Sequence, residues 1–176
     1  MATPTIVYTI GHSTRSLEEF IALLQEHSLL TLVDVRTVPR SRRNPQFNRD
    51  ALPEPLRAAG LDYVHSPGLG GFRAPRSDSP NTGWSNAGFR GYADYMLTPE
   101  FARHLDDLID LAGRTRIAIM CAEALFWHCH RALIADALTV RRVTVEHILR
   151  PGHAQPHPLT PVARVSGVEI TYPALR

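Results

Sequence analysis

The segment Leu30-Thr-Leu-Val-Asp-Val35 is the part of the sequence that decides the fold. Its almost continuous apolar character is typical of a parallel strand that is covered by helices on both faces. Similar runs at residues 5–10, 61–65, 116–120 and 143–148 indicate four more strands, and helical patterns stand between them. This alternation predicts a three-layer α/β domain of the Rossmann-like type, with a mostly parallel sheet of about five strands.

The helices are indicated by capping residues and by apolar spacing. Ser16, with Glu19 three residues later, has the pattern of a capping box and begins a helix that continues to about His27. A break is expected near Thr98-Pro99, where a new first turn fits. Further helices are predicted at residues 48–59, 89–111 and 129–139.

The C-terminal extension, residues 151–176, follows the last predicted parallel strand. Residues 151–161 are rich in proline and histidine and are predicted to be a connection. Residues 162–172 are predicted to form a small hairpin around Ser166-Gly167. Because the sequence contains no internal repeat and no convincing boundary, residues 1–176 are interpreted as a single domain.

Composition excludes several classes of protein. Apolar residues make up 44% and charged residues 20% of the 176, which are ordinary globular values. No run approaches the roughly 20 apolar residues that a membrane span needs, so no membrane partner is expected. The sequence begins without the pattern of a signal peptide, and two cysteines are too few for a secreted disulfide framework. A cytoplasmic location is therefore expected.

The basic residues are unevenly distributed along the chain. The net charge of +2 does not by itself indicate nucleic-acid binding. All 19 basic residues are arginine, and residues 36–90 hold nine of them against four acidic residues. This excess predicts a cationic surface or pocket. The expected partner is a small anionic or nucleotide ligand, with nucleic acid as a further candidate.

Ionisable side chains follow four of the predicted strands. Ligands of open parallel sheets bind beyond the carboxyl ends of the strands, so we expect a ligand site where these side chains meet. They are His12 after the first strand, Asp34 and Arg36 at the second, His65 at the third, and Cys121 with Glu123 at the fourth.

Glu123, Asp34 and His12 are the candidate catalytic residues. Glu123, just past a buried strand, is the best candidate for a general base or nucleophile, with an ion pair to Arg131 or Arg36 as the alternative. Asp34 lies within a buried strand, and a carboxylate in that position more often pairs with a nearby arginine than acts as a free base. The candidate ligand-binding residues are Ser13, Arg15, Arg36, Arg42, Gly70, Gly71, Cys129, His130 and Arg131.

Cys129-His130-Arg131 is predicted to open a helix, where backbone N–H groups and the helix dipole favour an anion. Cys129 is therefore expected to react with an alkylating reagent faster than Cys121. A cysteine followed by an arginine also occurs in phosphatases and sulfurtransferases. Here, however, Arg131 is ten positions after Cys121, and the intervening loop has no glycine to cradle a phosphate. A packing role is the alternative, for Cys121 in particular.

A bound metal ion is a further alternative at this end of the fourth strand. The residues with metal-binding side chains are Cys121, Glu123, His128, Cys129 and His130. Their spacing matches no standard zinc finger, so no metal ligand is assigned. No cofactor is expected either, because the sequence contains no full Gly-x-Gly-x-x-Gly fingerprint and no phosphate-binding loop.

Residues 67–91 form a long predicted loop, the 67–91 loop, which combines glycines, arginines, amides and aromatic rings. Segments 69–73 and 84–92 have the chemistry of a lid that stacks on a base and holds phosphates. A surface loop that packs on itself is the alternative.

Several separated motifs occur in one order along the chain. The first are Thr9-Ile-Gly-His-Ser-Thr-Arg15, Leu32-Val-Asp-Val-Arg36 with Pro39-Arg-Ser-Arg42, and Leu69-Gly-Gly71. They are followed by Phe89-Arg-Gly-Tyr-Ala-Asp-Tyr-Met96 and by Met120-Cys-Ala-Glu123 with Cys129-His-Arg131. From about residue 5 to 150, this set resembles the bacterial family known as domain of unknown function 488. The resemblance implies a Rossmann-like α/β domain, but it implies no reaction and no role for residues 151–176.

Three functions remain open. The first is an intracellular enzyme, of hydrolase or glycosyl-transfer type, that acts on a phosphate-bearing ligand such as a nucleotide or a nucleic-acid component. Its arginines would bind the anionic groups, and Glu123 or Asp34 would carry protons or attack. The second is a non-catalytic module that binds nucleic acid or another anionic ligand through the same arginines. The third is a metal- or thiol-dependent enzyme centred on Cys121 and Cys129.

Overall fold

A computed structural model describes residues 3–175 of the chain. The helices are α1 (Leu17–Glu26), α2 (Pro53–Ala58), α3 (Ala87–Tyr95), α4 (Pro99–Arg114) and α5 (Arg131–Val140). The strands are β1 (Ile6–Gly11), β2 (Thr31–Asp34), β3 (Asp62–His65), β4 (Ile117–Cys121), β5 (Thr144–Arg150), β6 (His153–Pro156), β7 (Arg164–Ser166) and β8 (Glu169–Thr171). Short 3₁₀ turns occur at Pro45–Phe47, Pro67–Leu69 and Phe126–His128.

Six strands form one sheet in the order β3-β2-β4-β1-β5-β6. The first five strands in this order are parallel, and β6 pairs antiparallel with β5 at the edge. β7 and β8 form a small antiparallel hairpin. The predicted Rossmann-like α/β fold, its mostly parallel sheet and its terminal hairpin are therefore confirmed.

Two predicted elements differ from the structure. The interpretation of residues 151–161 as a connection is wrong, because His153–Pro156 forms β6. This strand lies at the sheet edge, where proline is tolerated, and its residues are mostly exposed, so it lacks the apolar run of the buried strands. The helix predicted at residues 48–59 is shorter than expected. It begins at Pro53, because proline has no N–H to donate and favours the first turn.

The helix starts at the predicted capping residues are confirmed. Ser16 accepts the N–H of Glu19 at the start of α1, and Thr98 accepts the N–H of Phe101 at the start of α4. Asn86 caps α3 in the same way. Among residues 3–175, none of the helices combines the length and the apolar character that crossing a membrane requires.

Alternate residues of the central strands supply two apolar layers. Val33 and Ile119 belong to the layer that is covered by α3, α4 and α5. Leu32 and Met120 belong to the layer that is covered by α1 and α2. Because both faces of these strands are buried, the strands are apolar without alternation, as the sequence predicts.

The C-terminal residues pack against the α5 side of the sheet. Tyr172 is fully buried, and its hydroxyl donates to Asp136 of α5 at 2.7 Å. Its backbone N–H donates to the Asn81 side chain at 2.8 Å, and its carbonyl accepts the N–H of Gly83 at 2.7 Å. The residues after β6 thus hold the 67–91 loop in place.

The carboxyl ends of β1 and β4 approach each other closely. Just beyond β1, the N–H of His12 donates to the carbonyl of Cys121 at 2.9 Å. A Cβ atom at Gly11 would collide with the carbonyl oxygen of Glu123. Glycine at position 11 therefore allows the two segments that carry candidate site residues to lie side by side.

Gly11→Ala is expected to lower the free energy of unfolding by about 1–3 kcal/mol, because the added methyl group meets backbone atoms. Gly113→Ala is the matched control. Gly113 lies in α4 with nothing within 4 Å of an added Cβ, so alanine there should raise stability by about 0.4–1 kcal/mol. Urea unfolding of both variants measures the difference. A Gly11→Ala protein as stable as the wild type would contradict the close approach.

Candidate functional site

A cleft of about 470 Å³ lies at the carboxyl ends of the parallel strands. Its floor is formed by residues that follow β1, β2 and β4 and by the residues immediately before α5. Its rim is formed by residues of the loop 37–41, by Gly71, Phe72 and Asn86, and by Gly88 and Phe89 in the first turn of α3. The cleft therefore lies where the sheet topology predicts a ligand site.

The cleft brings together half of the predicted site residues. Those that line it are His12, Arg36, Gly71, Glu123, Cys129 and His130. Those that do not are Asp34, Ser13, Arg15, Arg42, Gly70 and Arg131. Eleven lining residues were not assigned to the ligand from the sequence, namely Thr37, Val38, Arg40, Ser41, Phe72, Asn86, Gly88, Phe89, Cys121, Ala122 and His128. All but His128 lie within the arginine-rich residues 36–90 or the motif at residues 120–123, and His128 directly precedes Cys129. The sequence therefore indicated the segments but not these individual residues.

Asp34 and Arg36 form a buried, two-pronged ion pair. Nε and Nη2 of Arg36 donate to the two carboxylate oxygens of Asp34 at 2.8 and 2.6 Å. Nη2 also donates to the carbonyl of Phe47, and the Tyr63 hydroxyl donates to Asp34. Asp34 is fully buried and Arg36 is 7% exposed. Both oxygens of Asp34 are thus occupied, and of the guanidinium only Nη1 is directed toward another residue of the cleft.

His12 is neutral at the floor of the cleft. Burial lowers its pKa, the hydrogen bond to Ser13 opposes this, and the charge of Arg36 lowers the pKa further. Its Nδ1–H donates to the carbonyl of Ser13 at 2.9 Å, so Nε2 is an acceptor for Nη1 of Arg36 at 3.3 Å. The ring stacks on Phe47, with centroids 4.4 Å apart. His12 therefore fixes the remaining N–H group of Arg36.

Arg131 lies beneath the cleft rather than in it. The side chain is 1% exposed. Its Nε donates to Sγ of Cys121 at 3.0 Å, Nη1 to the Thr9 hydroxyl at 2.9 Å, and Nη2 to the carbonyl of Glu123 at 2.7 Å. Among the described residues, none of its hydrogen bonds reaches a carboxylate. A buried positive charge therefore lies directly against the thiol of Cys121.

The other candidate arginines occupy different surfaces. Arg15 turns away from the cleft and donates to the carbonyls of Gly11 and Leu149 at 3.3 and 2.8 Å. Arg42 is exposed on the loop after β2 but does not line the cleft. Arg40, two residues earlier, is exposed and does line it. Arg40 therefore places an exposed cation in the lining of the cleft.

Cys121 and Cys129 are in contact at the floor of the cleft. Their Sγ atoms lie 2.7 Å apart. Sγ of Cys129 accepts the backbone N–H of Arg131 at 3.4 Å and lies 3.4 Å from Nδ1 of His130. Nε2–H of His130 donates to the carbonyl of Val35 at 2.9 Å, so Nδ1 is an acceptor that can take a proton from Cys129.

The two thiols differ in acidity. Burial opposes the charged form of both. At Cys129, the hydrogen bond from Cys121 and the charge and N–H groups of Arg131 outweigh burial and lower the pKa to about 7. At Cys121, the hydrogen bond to Cys129 adds to burial, and the pKa lies well above its ordinary value. Cys129 is therefore the more acidic thiol of the pair and ionises first.

The carboxylate of Glu123 is available at the mouth of the cleft. Its residue is exposed, and its side chain takes part in none of the ion pairs among residues 3–175. Only its backbone carbonyl contacts Arg131. The alternative of an ion pair to Arg131 or Arg36 is therefore not what the described residues form.

The 67–91 loop contacts the site and also packs on itself. A Cβ atom at Gly71 would lie 2.7 Å from Nδ1 of His130, so this backbone approaches the imidazole as only glycine allows. Farther along the loop, the carboxylate of Asp94 in α3 accepts from the Ser79 hydroxyl at 2.6 Å and from the Asn81 amide at 2.7 Å. The middle of the loop is thus anchored, while Phe72 at its start is 81% exposed beside the cleft.

A buried chain of hydrogen bonds connects Arg131 to Asp136. Nη1 of Arg131 donates to Thr9, which lies 2.5 Å from Nδ1 of His147. Nε2 of His147 lies 2.8 Å from Nδ1 of His157, and Nε2 of His157 lies 2.7 Å from Asp136. Burial and the neighbouring His157 lower the pKa of His147, which is therefore neutral. Each group in the chain can then donate to the next, from beneath the cysteines to the segment after β6.

The side chains considered for a metal ion do not form a cluster. Glu123 and His128 are exposed, whereas Cys121 and Cys129 are buried against each other. In the part of the chain that the structure describes, no group of three or more His, Cys, Asp or Glu side chains is arranged to hold a metal ion.

A family model described as Domain of unknown function DUF488 matches residues 16–138, which is more than half of the chain. The matched region begins at the cap of α1 and ends within α5, so it includes the 67–91 loop and both cysteines. β1, β5 and the C-terminal extension lie outside it. No curated protein and no solved structure matches the chain.

Arg36→Met is expected to lower the free energy of unfolding by about 3–5 kcal/mol, because it leaves the buried carboxylate of Asp34 without its cation. Arg114→Met is the control. Arg114 pairs with Asp110 in α4, but both side chains are about 70% exposed, so the loss there should stay below about 0.5 kcal/mol. Thermal and urea unfolding measure both effects. An Arg36→Met protein of unchanged stability would mean that this guanidinium serves a ligand rather than Asp34.

Proposed function

Because the chain belongs to the DUF488 family, whose description names no reaction, we propose a function from the cleft itself. The protein is a thiol-dependent enzyme in which the Cys129 thiolate attacks an electrophilic atom of a small phosphate-bearing ligand such as a nucleotide and displaces the leaving group bonded to that atom. Water then cleaves the covalent intermediate and restores the thiol. The observation that carries this proposal is the position of Sγ of Cys129. Cys129 lines the cleft, and its Sγ contacts the thiol of Cys121, the N–H of Arg131 and the imidazole of His130.

The groups around Cys129 have distinct tasks in this proposal. The thiolate is the nucleophile, and its pKa of about 7 provides a large thiolate fraction at neutral pH. Nδ1 of His130, which is unprotonated, receives the thiol proton when Cys129 is not yet ionised. Glu123, with its exposed carboxylate, exchanges protons with the leaving group or with water.

The rim of the cleft supplies contacts for the ligand. The guanidinium of Arg40 would bind an anionic group in a two-pronged contact, and Asn86 would add amide hydrogen bonds. The rings of Phe72 and Phe89 would stack on a flat group such as a base. The combination of one cation with two aromatic rings favours a nucleotide over inorganic phosphate.

A hydrolase or glycosyl-transfer enzyme that acts through Glu123 is the second candidate. The observation in its favour is that the Glu123 carboxylate forms no ion pair among residues 3–175 and lines the cleft. Asp34 is a weaker choice for this chemistry, because both its oxygens already accept from Arg36. In this alternative, Cys129 would be dispensable and Glu123→Gln would abolish turnover.

Cys129 is expected to react with iodoacetamide before Cys121 in the native protein, because the thiolate is the reactive form and lies on Cys129. The rate of Cys129 labelling should increase with pH and should reach half of its maximum near pH 7, because the thiolate fraction follows the pKa of Cys129. Peptide mass spectrometry after timed labelling measures each cysteine separately. Equal rates for the two cysteines, or faster labelling of Cys121, would contradict the assignment of the nucleophile.

Adenosine monophosphate (AMP) is expected to slow the labelling of Cys129 by occupying the cleft. Arg40→Ala should raise the AMP concentration for half-protection roughly tenfold, since a charge-assisted hydrogen bond is lost. Arg42→Ala is the matched control on the same loop, and it should leave protection unchanged, because Arg42 does not line the cleft. Equal effects of the two variants would contradict the role of Arg40. Binding that falls steeply with salt and never leads to turnover would favour a non-catalytic module.

A further inference from the structure

The contact between Cys121 and Cys129 has a chemistry beyond nucleophilic attack. A disulfide bond is about 2.05 Å long, so the two Sγ atoms, at 2.7 Å, need to move only a little closer to be joined. Both cysteines are free thiols. Cys121 ends β4, and Cys129 lies two residues before the start of α5. The two sulfurs are thus held together by the fold rather than by neighbouring positions in the sequence.

We propose that hydroperoxides oxidise this pair to an intramolecular disulfide, which withdraws the nucleophile from the cleft until a dithiol restores it. The proposal rests on the proposed function in one respect, namely that Cys129 is the reactive sulfur at the cleft. It adds a second reactant of a different chemical class, and it assigns Cys121 the task of resolving the oxidised intermediate.

The oxidation proceeds in two balanced steps. The Cys129 thiolate attacks one oxygen of hydrogen peroxide, the O–O bond breaks, and Cys129 becomes a sulfenic acid while hydroxide leaves and is protonated to water. The Cys121 sulfur then attacks Sγ of Cys129, the S–O bond breaks, and the Cys121 proton leaves with the hydroxyl group as a second water. The two cysteines lose two electrons and two protons in total, and one peroxide is reduced to two waters.

The environments of the two sulfurs match these different tasks. Both cysteines line the cleft, and both are nearly buried, with Cys129 6% and Cys121 2% exposed. The thiol of Cys129 is the more acidic of the two and lies beside the imidazole of His130 and the backbone N–H of Arg131. Cys129 is therefore the sulfur that attacks peroxide, and Cys121 is the sulfur that resolves the product. Because Cys121 is already in contact with Cys129, it reaches the sulfenic acid without movement of a strand or a helix.

The buried charge of Arg131 makes the disulfide easy to reduce. In the dithiol form, its Nε–H contacts Cys121 and its backbone N–H contacts the Cys129 thiolate. Oxidation removes this negative charge and leaves the guanidinium buried beside a neutral disulfide. Stabilising the reduced form in this way raises the reduction potential of the pair, as it does in strongly oxidising dithiol proteins. The disulfide is thus suited to reversible switching rather than to a structural role.

Treatment of the native wild-type protein with hydrogen peroxide, followed by alkylation under denaturing conditions and mass spectrometry, tests the proposal. We expect both free thiols to disappear together, a disulfide-linked peptide pair to form, and dithiothreitol to restore both thiols. Sulfinic acid on Cys129 without a disulfide, or two intact thiols, would overturn the proposal. This experiment needs no variant, so it does not depend on whether a substituted protein folds.

Two variants assign the individual steps. In Cys121→Ala, Cys129 should accumulate as sulfenic and sulfinic acid, because the resolving thiol is absent. In Cys129→Ala, Cys121 should keep its free thiol under the same treatment. Oxidation of Cys121 in that variant, at the rate seen for Cys129 in the wild type, would overturn the division of tasks. Melting curves of both variants show whether each retains its fold.

The outcome also separates this proposal from the proposed function. If Cys129 labels first with iodoacetamide but peroxide forms no disulfide, the switch is wrong and the nucleophile stands. If the disulfide forms but Cys121 labels first, the pair is redox-active while the assignment of Cys129 as nucleophile fails.

Discussion

The buried guanidinium of Arg131 joins the elements on which the cleft depends. Its three nitrogens hold β4 through Cys121 at 3.0 Å, β1 through Thr9 at 2.9 Å, and the segment after β4 through the Glu123 carbonyl at 2.7 Å. A charge withdrawn from water costs several kcal/mol unless it is fully hydrogen-bonded and balanced by an opposite charge. All three nitrogens of the guanidinium donate here, and the ionised form of Cys129, whose pKa is lowered to about 7, would supply the balancing charge. The acidity of Cys129 and the burial of Arg131 are thus two aspects of one interaction.

The segment after β5 takes part in the same electrostatic arrangement. Asp136 is fully buried and accepts hydrogen bonds from Tyr172 and His157, both of which lie beyond the region matched by the family model. The imidazoles of His157 and His147 continue this chain of hydrogen bonds from Asp136 to Thr9, which accepts from Arg131. A carboxylate and a guanidinium that do not touch are therefore joined through oriented hydrogen bonds, which strengthen one another in a low-dielectric interior.

The sequence predicted the fold well because the features that determine the fold are local. Both faces of the central strands are buried, and this appears directly as apolar runs such as residues 30–35 and 116–120. The caps at Ser16 and Thr98 likewise depend only on neighbouring residues. β6 was not predicted, because it lacks a local apolar pattern. It is an exposed edge strand that ends at Pro156, and its pairing with β5 leaves no apolar pattern in its own residues.

The sequence predicted where the candidate site lies in the fold, but it did not predict the hydrogen-bond partners of the arginines there. The carboxyl ends of parallel strands meet at one edge, so the place of the cleft followed from the order of strands and helices. Which arginine faces a ligand depends on tertiary pairing, which no spacing in the sequence reveals. Arg36 is paired with Asp34, Arg131 with a sulfur, a hydroxyl and carbonyls, and Arg15 with carbonyls beside β5.

Internal pairing of the sheet-edge arginines determines what chemistry the cleft can host. A guanidinium whose donors are already used by protein groups adds little direct binding to an anionic ligand, so the proposed recognition of an anion depends on Arg40 on the rim. The same inner charges act on the nearest ionisable protein groups instead, and beneath the floor of the cleft those groups are the two thiols. The arrangement therefore separates two functions that the sequence places together. The outer loops are suited to bind a ligand, and the inner arginine is suited to keep a reactive sulfur charged.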